Sequence, residues 1–273
     1  RGRISQILMK TERDLGAMVS FETRKKNHPL KYFKLDAGIF NGQGLTSPND
    51  FDSYKDFISR LALKPYPLNK NTTLSAGISY LNGGFIQNSV YVNRVHEKSG
   101  LNMFVLDSSL TNKGAKAPRK YYGADAQIKF KHGWGETELR AEYWWGTQTA
   151  TSTASETPPE LLVNKPYYIR KFNGGFFYLL QNIVNEKHQI VAKFDWYDPN
   201  REVEKLEIGD GSRRTTEADI KFSTVGIGYN HYFNDNIKLM LYYDLIYNET
   251  TMLPDYTSDV DDNVFTARLQ YEF

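Results

Sequence analysis

Apolar and polar residues alternate with period 2 along most of this chain, in segments of about 9 to 14 residues separated by turn chemistry. Near the start, Leu15, Ala17, Val19 and Phe21 fall on one face, with Asp14, Gly16, Ser20 and Glu22 on the other. Phe33, Leu35, Ala37 and Ile39 then alternate with Tyr32, Lys34, Asp36 and Gly38. Leu61 and Leu63 alternate with Arg60, Ala62 and Lys64, and Leu74, Ala76, Ile78 and Tyr80 with Thr73, Ser75, Gly77 and Ser79. The pattern sharpens in the second half. Tyr122, Ala124, Ala126, Ile128 and Phe130 oppose Asp125, Gln127, Lys129 and Lys131; Leu139, Ala141, Tyr143 and Trp145 oppose Glu138, Arg140 and Glu142. Further strands are expected at 168–181, which is apolar on both sides and leaves its faces unassigned, and at 187–198, about 219–233, 236–248 and 264–273. The total is about eleven.

Connection lengths alternate too. Those near 66–72, 132–135, 181–187 and 233–236 are tight, whereas those near 42–54, 82–118, 148–165, 198–217 and 249–262 are long and polar. Short turns at one rim and long loops at the other, with apolar side chains facing out and polar ones in, is the arrangement of an outer-membrane barrel with extracellular long loops. The expected fold is therefore all-β, a transmembrane antiparallel up-and-down β-barrel forming one domain over residues 1–273. Such bacterial barrels have an even strand number with both termini periplasmic. An odd count that ends at the periplasmic rim places residue 1 in an extracellular loop, so strands, about five of them, are expected ahead of Arg1.

Composition changes this picture little. A mean hydropathy of −0.57 and 24% charged residues would suit a water-soluble protein, but averaging over alternating faces gives the same figures for a barrel. No apolar run approaches the ~20 residues of a spanning helix. The 19 Tyr and 16 Phe suit a wall with interfacial girdles. Cysteine is absent, which excludes disulfides and thiolate sites, and a net charge of +2 gives no argument for nucleic acid as a partner.

Val264 to Phe273 alternates strictly, and the outward Phe265, Leu269, Tyr271 and terminal Phe273 look like the signal read by the outer-membrane assembly machinery. A more specific resemblance lies in Arg13-Asp-Leu-Gly-Ala17, then Leu35-Asp-Ala-Gly-Ile-Phe-Asn-Gly42, then Asp56 with Arg60-Leu-Ala-Leu-Lys-Pro65. With Trp196-Tyr-Asp-Pro-Asn200 and the 228–236 hairpin, this run resembles the phosphate-selective porin O and P family. The resemblance implies a roughly 16-stranded, often trimeric porin that passes small anionic solutes.

The alternation itself predicts lumen cations at Lys34, Arg60, Lys64, Lys129, Lys131, Arg140, Lys193, Lys238 and Arg268. It predicts nearly as many lumen anions: Asp36, Asp56, Asp125, Glu138, Glu142, Asp195, Asp244 and Glu272. Anion selectivity needs an excess of cations at a constriction; balanced walls select weakly. The 82–118 loop, with Gly83-Gly84 and a basic patch at Lys113, Lys116, Arg119 and Lys120, is a candidate to fold inward as that constriction, or to contact a neighbouring subunit.

Other chemistry is thin. The histidines at 28, 96, 132, 188 and 231 form no close metal pair in sequence, no catalytic nucleophile sits in a recognisable local motif, and no cofactor is expected. The Asp255 to Asn263 loop gathers oxygen ligands but reads best as a solvated acidic loop. Trp145 and Trp196 read as interfacial anchors in the outer-membrane bilayer. Two functions follow: a passive pore for small hydrophilic, anionic solutes, or an accessory barrel with a plugged lumen, holding an envelope complex together.

Overall fold

Period-2 alternation needs two environments, one for each side of a pleated strand, and the computed structural model supplies them. It describes residues 14–44, 52–157 and 165–272. Thirteen strands lie in chain order: β1 (Gly16–Glu22), β2 (Phe33–Phe40), β3 (Asp56–Pro67), β4 (Thr72–Ile86), β5 (Val92–Lys98), β6 (Leu101–Asp107), β7 (Lys116–His132), β8 (Gly135–Ala150), β9 (Tyr167–Ile183), β10 (Asn185–Asp198), β11 (Phe222–Tyr232), β12 (Ile237–Asn248) and β13 (Val264–Tyr271). Eleven of them, all but β5 and β6, form one up-and-down antiparallel wall in chain order. This is the expected fold class and strand number. Among the described residues β1 and β13 are not paired to each other, and both are exposed along nearly their whole length. Arg13 of the first motif and Phe273 of the expected assembly signal lie outside the described residues.

Turns and loops segregate as expected. Residues 68–71, 133–134, 184 and 233–236 close tight hairpins at one rim, and the long connections gather at the other. In the β9 to β10 turn Val184 has a φ of 66°, and the register shifts between Asn185 and Gln189, leaving residues 186–188 without partners on β9.

Two boundaries differ from the sequence reading. Gly83 and Gly84 belong to β4, opposite Arg119 and Pro118 of β7, so the long loop covers only 87–115 and most of its basic patch is strand. Within that loop, β5 and β6 form a hairpin closed by Ser99 and Gly100, both at positive φ (56° and 78°), the conformation a two-residue hairpin turn requires. β5 then pairs in parallel with β9, Val92 to Arg94 against Tyr167 to Ile169.

The distribution of burial is inverted relative to a water-soluble protein. Ile78, Ile227 and Leu269 are 60 to 69% exposed, whereas Asp195 is 1% exposed and Glu138 6%. Charged residues are almost never fully buried unless paired. Here they are crowded together on one side of the wall, which marks that side as concave.

Candidate functional site

Following the registers from strand to strand places Lys34, Asp36, Arg60, Lys64, Lys129, Lys131, Arg140, Lys193, Lys238 and Arg268 on a single face. The same registers settle 168–181: Phe176 and Tyr178 share the polar face with Arg140 and Lys193, and Phe177 and Leu179 take the other.

Most of these cations are paired. Lys34 meets Asp36 at 3.0 Å, Lys64 meets Glu22 at 2.7 Å, and Lys129 lies between Glu136 and Glu138. Arg140 pairs with Glu138, which also accepts from Gln127. Lys193 is held between Asp195 at 3.0 Å and Asp244 at 2.8 Å. Lys131, Lys238 and Arg268 make no ion pair among the described residues; Lys238 instead sits 5.3 Å over the Tyr232 ring.

Four of the ion pairs span a whole strand; Lys64 of β3 reaches Glu22 of β1 across β2, and the other three each cross a glycine. Arg60 of β3 grips Asp125 of β7 with two hydrogen bonds, passing over Gly77 of β4. A Cβ on Gly77 would sit 2.4 Å from Arg60 Nη2 and 2.8 Å from Asp125 Oδ2. Asp56 of β3 and Arg119 of β7 meet over Gly83, where a Cβ would lie 1.7 Å from Asp56 Oδ1. Lys193 of β10 reaches Asp244 of β12 over Gly226. The missing side chain makes room for a bidentate or direct contact across about 10 Å, twice the strand spacing. These glycines, and the role of Asp56 with Arg119, are what the sequence reading missed.

The Asp56 and Arg119 pair is buried (0% and 4% exposed) and further tied by Gly84 N donating to Asp56 and Arg119 donating to Gly42 O. Lys116 lies over the Tyr54 ring and Lys120 over Tyr122, on the apolar side. The basic patch therefore does not come together as one anion-attracting surface. Its arginine is neutralised and its lysines diverge.

Towards the long loops the polar face turns aromatic. Leu81, Tyr121, Phe172 and Tyr197 form a buried cluster, with Ile58, Trp144 and Phe176 against it. Above them the β5–β6 hairpin packs inward, Phe104 against Tyr168 and under the Arg170 guanidinium. Arg170 Nε donates to Asp219 at 2.8 Å, both groups essentially buried, and Arg170 Nη1 donates to Thr151 O. Phe104 N donates to Arg213 O, so the hairpin, residues 151–157 and residues 199–221 form one cap. On its surface, hydrogen bonds from the Ser109 hydroxyl and amide hold Asp107 down at about 2, and those from Ser212 lower Asp210.

The apolar face carries two aromatic belts. Near the long loops, Phe57, Tyr80, Tyr122, Trp145, Tyr143 and Trp196 follow one another in ring contact across β3 to β10. At the turn side stand Phe130, His132 and Trp134, then His188, Tyr229, His231 and Phe233. From Tyr122 to Phe130 along β7 is about 27 Å at 3.4 Å per residue. A tilt of about 40° shortens this to about 20 Å, near the ~25 Å apolar band of an outer-membrane barrel. At the turn-side rim, Arg24, Lys25, Lys26, Lys31 and Lys64 line a depression of ≈ 600 Å³ together with Glu22. In the Asp255 to Asn263 loop, Asp259 and Asn263 accept from the backbone of β12 residues Asn248 and Ile246.

No family model and no curated protein matches the chain, so the resemblance to the phosphate-selective porins rests on its short motifs. Among solved structures, the chain is similar at 10% identity to a NanC porin, covering 94% of this chain and 91% of that one with a TM-score of 0.40. It is similar at 10% identity to OmpT, an outer-membrane protein of Vibrio cholerae, covering 93% of this chain and 63% of that one (TM-score 0.42). At 9% identity it is similar to the ferric enterobactin receptor of Pseudomonas aeruginosa, covering 93% of this chain and 38% of that one (TM-score 0.41). The chain thus spans less than two thirds of the last two.

Proposed function

We propose that this chain forms the wall of a porin in the bacterial outer membrane, a passive channel whose polar face lines a water-filled lumen for small hydrophilic, phosphate-like anionic solutes. The inversion of burial carries the reading: charged groups crowd the concave face while large apolar side chains, bounded by two aromatic belts, face outward. In water such an outer face would invite aggregation; in a bilayer it is the required surface. The long loops then lie outside the cell, and the protein works without catalysis or cofactor, as a homotrimer.

Anion preference is supported by where the cations remain uncompensated. Ion pairs neutralise much of the wall, but Lys131, Lys238 and Arg268 have no ion-pair partner among the described residues, and the turn-side rim adds Arg24, Lys25, Lys26 and Lys31. An excess of one sign at a low-dielectric mouth concentrates the opposite ion. The test is conductance and zero-current potential of the full-length protein in a planar bilayer under a potassium chloride gradient. Stable steps with an anion-favouring potential are expected; verified folded protein that gives no steps overturns the pore.

The cap favours a second reading, an accessory barrel with a closed lumen that serves an envelope complex. Its buried Arg170 and Asp219 pair and the aromatic cluster beneath it fill the concave side at the long-loop end. Absence of conductance restored by deleting the β5–β6 hairpin would decide for this second reading.

A further inference from the structure

The three histidines of the wall strands, His132, His188 and His231, all sit in the turn-side aromatic belt, and two of them are direct neighbours. His188 of β10 and His231 of β11 are opposite each other in the antiparallel register. Their ring centroids are 4.8 Å apart with 42° between the planes. We propose that these two imidazoles are a binding site for a divalent transition-metal ion, taking Cu²⁺ in preference to Zn²⁺ or Ni²⁺, independent of whether the barrel conducts.

The ring separation is compatible with a shared ion. A metal–nitrogen bond of about 2.1 Å puts the ion about 3.2 Å from each ring centroid. Two imidazoles subtending about 95 to 110° at the ion then have centroids about 4.7 to 5.3 Å apart, and the observed pair falls inside that range. The two rings are held on hydrogen-bonded strands, so little entropy is lost on binding.

Each ring is also positioned from behind. The Tyr229 hydroxyl lies 2.5 Å from His188 Nδ1, the kind of outer contact that fixes the orientation of a ligating imidazole. Phe233 packs edge-on against His231 at 4.5 Å. His231 Nδ1, like His132 Nδ1, has no hydrogen-bond partner within the protein, a polar atom that an ion or a water can satisfy. Imidazole suits copper, nickel and zinc, and the general order of affinity for such ligands puts Cu²⁺ first. No group of three or more His, Cys, Asp or Glu residues able to hold a metal occurs among the described residues. The remaining coordination positions therefore fall to water, and the ion would be exchangeable.

Sequence spacing cannot reveal this pair, because its members are brought together by strand pairing across the whole β10 to β11 connection. The experiment is titration of the full chain, folded in detergent, with copper(II) chloride, followed by calorimetry and electron paramagnetic resonance. One Cu²⁺ per chain with a two-nitrogen hyperfine pattern is expected. His188→Gln and His231→Gln should each weaken binding at least tenfold, Tyr229→Phe by about tenfold, and His132→Gln less than twofold. A one-nitrogen spectrum in the unmodified protein, or affinity unchanged in the His188→Gln/His231→Gln double variant, overturns the site.

Discussion

The wall and the cap of this molecule obey opposite rules. Between its aromatic belts the wall exposes Ile78, Leu139 and Ile227 and buries Asp195 and Glu138. In the cap a conventional core is present: Val92, Phe104, Val203, Ile208 and Ile220 are buried, while Leu110, Leu206 and Leu101 stay at the surface. On the proposed reading one polypeptide folds against two solvents: its alternating segments would meet hydrocarbon on one side, while its loops assemble a small core of their own.

That contrast can be broken at its keystone. Arg170→Ala leaves Asp219 buried without its cation, a loss of about 3–5 kcal/mol when a buried pair is broken, and the cap alone should open. Limited proteolysis is expected within 92–107 and 199–221, while the wall keeps its heat-modifiable gel mobility. Unchanged protection of both segments would show that the cap is held by the wall.

A smaller effect sharpens the outer surface. Ile78→Arg, within the apolar band two residues from the Tyr80 belt, should cost about 2 kcal/mol in guanidinium unfolding from lipid vesicles. Leu110→Arg, at 85% exposure on the cap, should stay within about 0.5 kcal/mol. Equal costs would contradict a lipid-facing wall.

Gly77→Ala tests the strand-crossing pairs. The new methyl collides with the Arg60 guanidinium, whose flexible end can yield, so the stability cost should be near 1 kcal/mol, the low end for overpacking. Separating Arg60 from Asp125 should still shift the zero-current potential, and an unaltered potential would mean that this pair lies off the ion path.

The smallest expected effect is a pH response of the cap surface. Asp107 is held at about 2 against an ordinary 3.8. A lowered folded-state value means that its contribution is complete above 3.8 and disappears as pH falls through 2. Protection factors across 101–112, with the intrinsic pH dependence of exchange divided out, should stay constant down to about pH 4 and fall below it in the unmodified protein, and be indifferent to pH in Asp107→Asn.

Strand number and the faces of most strands were legible because period-2 alternation repeats one physical fact many times; 168–181, apolar on both sides, needed the strand registers. Val19, Ile39, Ile78 and Leu139 declare the same face independently. The cap was not legible for the converse reason. Its buried contacts are assembled from separate segments, Phe104 against Tyr168 and Val203 with Ile208 and Ile220, each unremarkable locally. Ser99-Gly100 was the one local signal of the β5–β6 hairpin, a two-residue turn between apolar stretches that was read as part of a long loop. The ion pairs divide likewise. Lys34 with Asp36, two apart on one strand, follows from alternation; Arg60 with Asp125 needs the register of an intervening strand and a glycine on it.

The two pairs that cross β4 have opposite sense. On β3 the lower carries the cation, Arg60, and the upper the anion, Asp56; on β7 the signs are reversed, Asp125 below and Arg119 above. Each pair is a dipole only as wide as its own contact, 2.6 Å between Arg60 and Asp125, and two such dipoles pointing in opposite directions, about 13 Å apart along β3, constitute a quadrupole. Its potential falls off more steeply than that of a single charge or dipole. In the proposed channel a dissolved ion on the axis would scarcely register this stretch, whereas a solute sliding along the wall would meet one polarity and then its reverse within a single molecular length.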